Sequence, residues 1–381
     1  MVIHPANRSP KAIDDSKTRR IIFMTGFPGF IALRLVRALL TEHGAADFIF
    51  LAQERFLTKA REDVAALKAE ILAESATFTV LAGDITEPHL GLSETEYRDV
   101  AARVTDVFHL AAIYDLAVPE SIARRVNVGG TANVIGLCRD CTGLVRHVYY
   151  STCYVAGDRT GRILEADLDK GQAFKNFYES TKYEAEMLVR QSMADIPTIV
   201  VRPTVVVGES ESGWTQKFDG PYFGFILVEK LNFGVPLPYL GKSEVEINLV
   251  PIDFVVAATA KLWRKPGLEG KTLALADPEP MLARDVYRHI VKHFVGREPF
   301  GTIPPILLTL PLRLWLVRKI LGVPREVLDY FNHKASYDTA EMTAALEGTG
   351  VACPRLIDYL PNLFRFYAAN RDRAELRWKV I

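Results

Sequence analysis

Short apolar runs alternate with longer amphipathic stretches between residues 21 and 208, and this alternation constrains the fold more than any other feature. Six runs have the length and composition of strands: 21–26, 47–52, 78–85, 106–112, 147–155 and 197–208. Four stretches have the apolar spacing of helices: 31–44, 59–74, 127–141 and 176–191. Strands that alternate with helices form a parallel sheet covered on both faces. We therefore predict an α/β fold built on a doubly wound parallel sheet.

The regular alternation ends near Gly208, and this change divides the chain. We predict a polar N-terminal tail over 1–19, a first domain over 20–210 and a smaller substrate-binding lobe over 211–381. The predicted elements of this lobe are two strands and a helix: 246–252, 271–276 and 284–294. The run 247–255 is expected to return toward the core as a strand. Because the N-terminal tail lacks the apolar core of a signal peptide, the sequence predicts a cytoplasmic protein.

Charge and cysteine content exclude several classes of partner. The 46 basic and 46 acidic residues balance to a formal net charge of +0, which does not suggest a nucleic-acid binder. Four cysteines are too few for a disulfide framework, and no cluster has zinc-ligand spacing, so we predict no metal site. Cys138 and Cys141 have redox-pair spacing, but we interpret them as partly buried residues of a helix. We interpret His109, in the fourth run, as a packed or hydrogen-bonded histidine.

The segment 303–322 is apolar enough to raise the question of a membrane span. Its three prolines and three basic residues argue against a simple span. We favour a packed helix that lines a lipid-shaped pocket. The alternative is an interfacial helix that holds the protein on a membrane surface, with its cations at the headgroups. The sequence leaves the oligomeric state open.

A glycine-rich turn, TGFPGFIA, occupies residues 25–32 between the first strand and the first helix. Such a turn lets the backbone approach a pyrophosphate, which the free N–H groups of the helix N-terminus then bind. Gly26 permits the turn, Gly29 permits the close approach, and Ala32 takes the position that needs a small residue. Pro28 lacks an N–H and cannot donate to a phosphate. The strand–turn–helix context predicts a dinucleotide site.

The sequence FYESTK places Tyr178 and Lys182 four residues apart in a predicted helix, so both project from one face. A phenol has a pKa of about 10 and is a poor proton donor or acceptor near neutral pH unless its anion is stabilised. A neighbouring ammonium provides that stabilisation. The phenol can then exchange a proton with a carbonyl or alcohol oxygen while hydride moves. An exposed pair without function is the simpler alternative.

A third motif, YYSTCYVAG, places Ser151 and Thr152 at the end of the fifth strand. Open α/β folds bind ligands at the carboxyl ends of their strands. A hydroxyl there can donate to the same substrate oxygen as Tyr178. The simpler alternative is a strand-end hydroxyl that satisfies backbone groups.

Taken together, TGxxGxxA, the strand-end Ser/Thr and YxxxK resemble the extended short-chain dehydrogenase/reductases over about residues 20 to 260. The resemblance implies a Rossmann fold, a nicotinamide cofactor and a catalytic set of Thr152, Tyr178 and Lys182. Tyr178 would be the acid/base, and Lys182 would hold the nicotinamide ribose and lower the pKa of Tyr178.

The resemblance also implies cofactor contacts from the glycine turn, from the strand ends and from the helix after the fourth strand. These residues are Thr25, Gly26, Phe27, Pro28, Gly29, Phe30 and Ile31; Asp84 and Ile85; Leu110, Ala111 and Ala112; Asn127; Ser151; Tyr178 and Lys182; and Pro203, Thr204 and Val206.

A narrower resemblance joins GDITEPHLGLS, FHLAA, NVGGT, STCYVAG and INLVPIDFV to the fatty acyl-CoA reductase and thioester reductase branch. That branch usually carries Leu-x-Arg after the second strand, with the arginine on the 2′-phosphate of NADP, whereas this chain has Gln53 there. Glu54 lies one residue beyond the position from which an acid binds the ribose diol of NAD. Arg55 and Lys59 follow and could bind a phosphate. We therefore predict cofactor contacts from Gln53 and Arg55, and we favour NADP(H) over NAD(H).

The resulting expectation is an NADPH-dependent reductase of a long-chain acyl thioester, on CoA or an acyl carrier, or of a fatty aldehyde. The alternative is an NAD(P)-dependent reductase or dehydrogenase of a lipid ketone or alcohol, such as a 3-keto lipid or a sterol. A non-catalytic protein that binds the cofactor for structure is a third possibility. The intact set of Thr152, Tyr178 and Lys182 argues against it.

Overall fold

The apolar runs form the strands of one central sheet in the computed structural model, which describes residues 19–71, 75–115, 118–232, 234, 237–241, 245–304, 306–307 and 334–376. The strands are β1 (Arg20–Thr25), β2 (Ala46–Ala52), β3 (Phe78–Ala82), β4 (Asp106–His109), β5 (Arg146–Tyr150), β6 (Gly161–Ile163), β7 (Thr198–Pro203), β8 (Val205–Val207), β9 (Tyr239–Leu240), β10 (Glu246–Ile247), β11 (Leu249–Pro251), β12 (Thr272–Leu275), β13 (Met281–Leu282), β14 (Thr302–Ile303) and β15 (Ala335–Tyr337).

The helices are α1 (Phe30–His43), α2 (Leu57–Glu70), α3 (Glu94–Arg103), α4 (Glu120–Ala123), α5 (Gly130–Asp140), α6 (Phe177–Ser192), α7 (Tyr222–Lys230), α8 (Ile252–Trp263), α9 (Ala283–Val295), α10 (Ala340–Leu346) and α11 (Leu356–Asn370). A π-helical turn, Arg124–Gly129, precedes α5. Single turns of 3₁₀ helix lie at Glu54–Phe56, Pro88–Gly91 and Cys153–Ala156.

The central sheet has seven strands in the order β12-β7-β5-β4-β1-β2-β3, and every adjacent pair is parallel. The chain crosses from β3 to β4 over β1 and β2, so the strand order reverses beside β1. Helices cover both faces, which confirms the predicted Rossmann-type, doubly wound sheet. Ligands in such sheets bind beyond the carboxyl ends of the strands at this reversal.

Successive residues of β1 point into two different cores, because side chains alternate across a strand. Ile22 and Met24 pack in a core with side chains of α1, α2 and α8. Phe23 packs in the opposite core with side chains of α3, α5 and α6. A strand buried on both faces must be apolar at nearly every position, which is why the strands appear in the sequence as continuous apolar runs.

A third core lies in the C-terminal part of the chain, between α7, α9 and α11. It is rich in aromatic side chains, and the rings of Phe225 and Phe364 pack edge to face with centroids 4.9 Å apart. Among the described helices, none is both long and apolar enough to cross a membrane. Of the segment 303–322, only Ile303, Pro304, Ile306 and Leu307 are described, so the predicted apolar helix lies outside the described residues.

Two elements from beyond residue 210, β12 and α8, join the central sheet and its core, and a return to the core was expected for the run 247–255. Residues 272–275 form β12, which pairs with β7 at the edge of the central sheet. The predicted strand 247–255 is wrong in its second half, because α8 begins at Ile252 after the extended residue Pro251. Helix α8 packs against α1 in the core below one face of the sheet. Residues beyond the predicted boundary at residue 210 thus belong to the central sheet and its core.

The predicted strand 197–208 is divided at Thr204. Its first part, β7, stays in the central sheet, whereas β8 leaves it and pairs with β11. At the break, the Thr204 hydroxyl donates to the Asn248 side-chain oxygen over 2.9 Å. The Asn248 amide in turn donates to the carbonyl of Asp277 over 2.8 Å. The Thr204 N–H still donates to the Leu275 carbonyl of β12 over 3.2 Å, so the side-chain network adds to the backbone bond at this break.

Candidate active site

The predicted site residues meet because the strands that carry them end at one edge of the sheet. Thr25 at the end of β1 is paired with His109 at the end of β4. His109 is paired with Tyr149 of β5, and Tyr150 is paired with Val201 of β7. The glycine turn, Leu110–Ala112, Ser151–Thr152 and Pro203–Thr204 all follow these positions. The sheet alone thus brings segments more than a hundred residues apart to one edge.

The glycine turn packs tightly against the end of β4. Gly26 has φ +86°, and a β-carbon there would lie 2.8 Å from the backbone nitrogen of Ala111. A β-carbon on Gly29 would lie 2.6 Å from the Gly26 carbonyl oxygen, which accepts the Gly29 N–H. Only glycine fits the first position without strain. Phe27 is buried and stacks on Phe50 with ring centroids 4.0 Å apart, so its side chain anchors the turn to β2.

Helix α1 opens directly after the turn, with Gly29 as its N-cap residue. No described side chain caps the first turn of α1, and no acidic residue lies in that turn. The N–H groups of Phe30 and Ile31 therefore belong to a helix end that offers donors and a positive dipole. Ala32 is buried where the helix meets the sheet. This donor set fits the pyrophosphate of a dinucleotide.

Thr25 and His109 form a buried hydrogen-bonded pair below the turn. The Thr25 hydroxyl oxygen accepts the N–H of Ala111 over 3.1 Å and lies 2.8 Å from Nδ1 of His109. Nε2 of His109 lies 3.0 Å from the Thr131 hydroxyl, which donates to the carbonyl of Asn127. These partners fit a neutral ring with its proton on Nε2, and burial lowers the pKa of His109 well below its usual value. His109 is therefore packed and hydrogen-bonded, as its place in the strand predicts.

The side chains expected near the adenosine form a short hydrogen-bonded chain. The Gln53 amide donates to Asp84 over 2.8 Å, and Arg55 Nε donates to the Gln53 oxygen over 2.9 Å. Asp84 also accepts the N–H of Thr86 over 2.8 Å. Although burial opposes it, these donors lower the pKa of Asp84. Arg55 is exposed, so its guanidinium remains accessible at this end of the site.

A left-handed turn holds the Asp84 segment in place. His89 and Leu90 have φ values of 50° and 60°, which non-glycine residues rarely adopt. Leu90 is fully buried, and its carbonyl accepts the N–H of Asp84 over 2.8 Å. Burial of the Leu90 side chain therefore offsets the free-energy cost of this left-handed backbone conformation. Ile85 is buried beside Gly130, where a β-carbon would lie 2.5 Å from the Ile85 side chain.

The reacting centre predicted from the sequence brings together Thr152, Tyr178 and Lys182. The Thr152 hydroxyl lies 3.4 Å from the Pro203 carbonyl oxygen, and it is close enough to the Tyr178 phenol to lower the pKa of that group. Lys182, one helical turn after Tyr178, is buried and donates from Nζ to the Tyr149 hydroxyl over 2.9 Å and to the Tyr150 carbonyl over 2.7 Å. Burial lowers the pKa of Lys182 to about 7.

Burial also raises the pKa of Tyr178 to about 12, while the hydrogen bond from Thr152 opposes this shift. The resemblance implied that the Lys182 ammonium lowers this pKa. In the structure the Lys182 ammonium is hydrogen-bonded to the Tyr149 hydroxyl and the Tyr150 carbonyl. The protonated phenol is therefore the form that the site holds near neutral pH, and it is suited to donate to a substrate oxygen.

A buried ion-pair network lies behind these residues, and sequence reasoning missed it. Glu186, one turn beyond Lys182, is fully buried and accepts the Ser151 hydroxyl over 2.5 Å. Two nitrogens of Arg202 donate to its carboxylate over 3.0 and 2.6 Å, and Arg190 Nε donates over 2.9 Å. The sequence did carry a signal for this network: Glu186 follows Lys182 by four residues, just as Lys182 follows Tyr178, so all three lie on one face of the helix. The predicted cofactor contact Ser151 is thus tied to α6 by its side chain.

Asn127 connects the segment after β4 to the same helix. It lies in the π-helical turn, and its side-chain oxygen accepts the N–H of Ile113 over 2.9 Å. Its amide donates to the Thr181 hydroxyl of α6 over 3.0 Å. Val206, the last of the predicted cofactor contacts, lies in β8 opposite Val250. Among the described residues, no cluster of His, Cys, Asp or Glu side chains could hold a metal ion.

Comparison with known families gives one model that matches more than half of the chain. The NAD_binding_4 model, described as male sterility protein, matches residues 24–259. Fatty acyl-CoA reductase wat of Drosophila melanogaster is 26% identical over 281 residues, which cover 64% of this chain and 54% of that protein. The matched region spans about half the length of each of the two fatty acyl-CoA reductases from Drosophila melanogaster that the chain resembles.

Solved structures share the fold over nearly the whole chain. The terminal R domain from the myxalamid PKS-NRPS biosynthetic pathway has a TM-score of 0.79 at 23% identity, covering 93% of this chain and 91% of that one. UDP-glucuronic acid 4-epimerase from Bacillus cereus, in complex with NAD, has a TM-score of 0.61 at 19% identity, covering 91% and 99%. At these identities the likeness shows the fold.

Proposed function

Because the chain belongs to the male sterility protein family, a group of NAD(P)-dependent oxidoreductases within the extended short-chain dehydrogenase/reductases, we propose that it reduces a long-chain acyl thioester with NADPH. The thioester is carried on CoA or an acyl carrier, and the corresponding fatty aldehyde is a second substrate. Support comes from the likeness to fatty acyl-CoA reductases and from the fold shared with a terminal R domain.

The observation that carries the proposal is that the hydroxyls of Thr152 and Tyr178 are neighbours at the carboxyl edge of the sheet. Two hydroxyl donors side by side can bind one carbonyl oxygen and stabilise the negative charge that develops on it. The glycine turn and the open N-terminus of α1 fit the cofactor pyrophosphate. We propose that residues 20–210 supply most of the cofactor site and that the lobe over 211–381 binds the acyl group.

The nicotinamide cofactor, when bound, supplies two electrons as hydride. In the proposed reaction the carbonyl carbon of the thioester accepts hydride, the C–S bond breaks, and the thiol leaves with a proton. Tyr178 and Thr152 donate hydrogen bonds to the carbonyl oxygen, which becomes the aldehyde oxygen after the C–S bond has broken. Lys182 is held by Tyr149 and Tyr150 one turn from Tyr178, and its proposed role is to bind the ribose and to stabilise negative charge on the phenol.

We assign the preference for NADPH to three hydrogen-bonded side chains after β2 and β3, those of Gln53, Arg55 and Asp84. Gln53 is already hydrogen-bonded to Asp84, and the exposed Arg55 is held beside it. Asp84 is thereby occupied with Gln53 and Thr86, and Glu54 is exposed on the following turn. An exposed guanidinium is a strong partner for the 2′-phosphate that distinguishes NADP from NAD.

Replacing Arg55 with alanine is expected to lower kcat/KM for NADPH and to leave that for NADH nearly unchanged. A hydrogen bond to a charged group is worth about 1.5–3 kcal/mol, which corresponds to a loss of roughly 10- to 100-fold. Steady-state kinetics with both cofactors measure the effect. Arg61→Ala, an exposed arginine of α2, is the matched control. Equal losses with the two cofactors would contradict the assignment of Arg55 to the 2′-phosphate.

The reaction itself is tested by following NADPH oxidation with long-chain acyl-CoAs, fatty aldehydes and 3-keto lipids while free thiol is measured in parallel. We expect one thiol released for each acyl-CoA reduced to aldehyde. Turnover of 3-keto lipids without thiol release from acyl-CoA would reject the thioester reaction. It would favour the lipid ketone reductase, for which the same three side chains suffice.

A further inference from the structure

Tyr114 is a large aromatic residue beside Tyr178 of the candidate active site, and none of the predicted roles includes it. It follows β4 by five residues, and 52% of its surface is exposed. Its ring meets that of Tyr178 edge to face, with centroids 5.5 Å apart and planes at 84°. The two rings are therefore in direct contact, and the exposed part of Tyr114 extends the surface beside the Tyr178 phenol.

The backbone next to Tyr114 is held by the same helix that carries Tyr178. Ile113 donates its N–H to the Asn127 side chain, and its carbonyl accepts the Asn127 amide over 3.4 Å. Asn127 is hydrogen-bonded in turn to Thr181, three residues after Tyr178. The contact between the two tyrosine rings is thus fixed by a polar connection at its base, and it does not depend on ring packing alone.

This arrangement determines what lies next to a bound carbonyl group. The Tyr178 phenol has the Thr152 hydroxyl as a neighbour and the Tyr114 ring against its own ring. Because Tyr114 contacts the ring that carries the Tyr178 hydroxyl, the carbon substituents of a carbonyl group bound there would be within reach of Tyr114. An aromatic ring offers a flat apolar surface there, along which an unbranched methylene chain can pack. A methyl branch on the carbon next to the carbonyl would meet the ring.

We propose that Tyr114 contacts the substrate and selects acyl groups that are unbranched next to the reacting carbonyl. This inference rests on the proposed function, since it describes the acyl side of the same reaction. It assigns to the segment after β4 a role in substrate choice, in addition to its predicted contacts with the cofactor.

The test compares a straight-chain acyl-CoA with its 2-methyl-branched counterpart, using NADPH oxidation and thiol release. We expect wild type to prefer the straight chain and Tyr114→Ala to reduce the ratio of the two kcat/KM values by roughly 10- to 200-fold, the range that one methyl group is worth in an apolar pocket. Tyr114→Phe keeps the ring and is expected to keep the ratio. Phe300→Ala, at an 80% exposed aromatic residue, is the control for nonspecific effects.

The outcomes separate this inference from the proposed function. If wild type reduces neither acyl-CoA, the proposed function fails and the inference fails with it. If wild type reduces the straight-chain substrate but Tyr114→Ala leaves the ratio unchanged, only the inference is overturned. An equal fall in kcat/KM for both substrates would mean that Tyr114 acts by positioning Tyr178, and it would also overturn the role in selection.

Discussion

Replacing Tyr178 with phenylalanine is expected to lower kcat by roughly 100- to 10,000-fold, the usual contribution of a positioned acid or base. The substitution removes only the phenol oxygen, whose pKa the neighbouring Thr152 hydroxyl lowers. The ring, with its edge-to-face contact to Tyr114, stays in place. We therefore expect the affinity for NADPH, measured by fluorescence titration, to change little while single-turnover reduction of an acyl-CoA becomes slow.

Tyr183→Phe is the matched control for this variant. Tyr183 lies on the same helix, where its ring packs against Phe174 and burial and the nearby Asp169 raise the pKa of its hydroxyl. Loss of the Tyr183 hydroxyl should leave kcat within a factor of about two, since neither Phe174 nor Asp169 belongs to the candidate site. If Tyr178→Phe kept most of its activity with acyl-CoAs, aldehydes and ketones alike, the hydroxyl would have no catalytic role. The fold would then favour a protein that binds its cofactor for structure.

Replacing Glu186 with glutamine is expected to lower the free energy of unfolding by about 3–5 kcal/mol, the cost of breaking a buried ion pair from one side. The change leaves the buried guanidinium of Arg202 and the nearby Arg190 without their counter-charge. Burial opposes ionisation of Glu186, but Arg202 keeps its pKa below the usual value. The stabilisation is therefore present above the unfolded pKa of the carboxyl group and is lost as pH falls through the folded pKa.

Urea unfolding at neutral pH measures this effect, with two comparisons. Glu184→Gln, on the same helix, breaks a pair with Arg124 at the surface and should cost at most about 1 kcal/mol. The double variant Glu186→Met/Arg202→Met removes both charges and should be less destabilised than Glu186→Gln. A loss below about 1 kcal/mol in Glu186→Gln would show that water or other groups replace the carboxylate.

The sheet and its family were predictable because both depend on local sequence. Strands buried on two faces must be apolar throughout, so the runs around Phe23 and Val148 predict strands without knowledge of their neighbours. The glycine turn and YxxxK are likewise short motifs whose chemistry is fixed by spacing. These features predicted the doubly wound sheet and the short-chain reductase family, and both are confirmed.

The features that escaped prediction depend on contacts between distant segments. The sequence of β12 would be equally apolar in the central sheet and in a separate lobe. Only its pairing with β7 shows that it belongs to the central sheet. The left-handed turn at His89 and Leu90 is permitted by burial of Leu90, which the sequence pattern does not display. Glu186 was overlooked because a charged residue in an amphipathic helix is usually exposed, and because its partner Arg202 lies in β7, outside that helix.

The late position of β12 and α8 has a consequence for synthesis of the chain. A nascent polypeptide that has reached Gly208 contains six strands of the sheet, but the outer edge of β7 and the surface of α1 that packs on α8 are still uncovered. At translation rates of about 5–20 residues per second, roughly 3 to 13 seconds pass before residue 275 is made. During that interval β7 is an unprotected apolar edge, a site at which chains aggregate. Expression of this protein should therefore depend on chaperones that bind nascent chains, and shortened versions should retain residues 252–275.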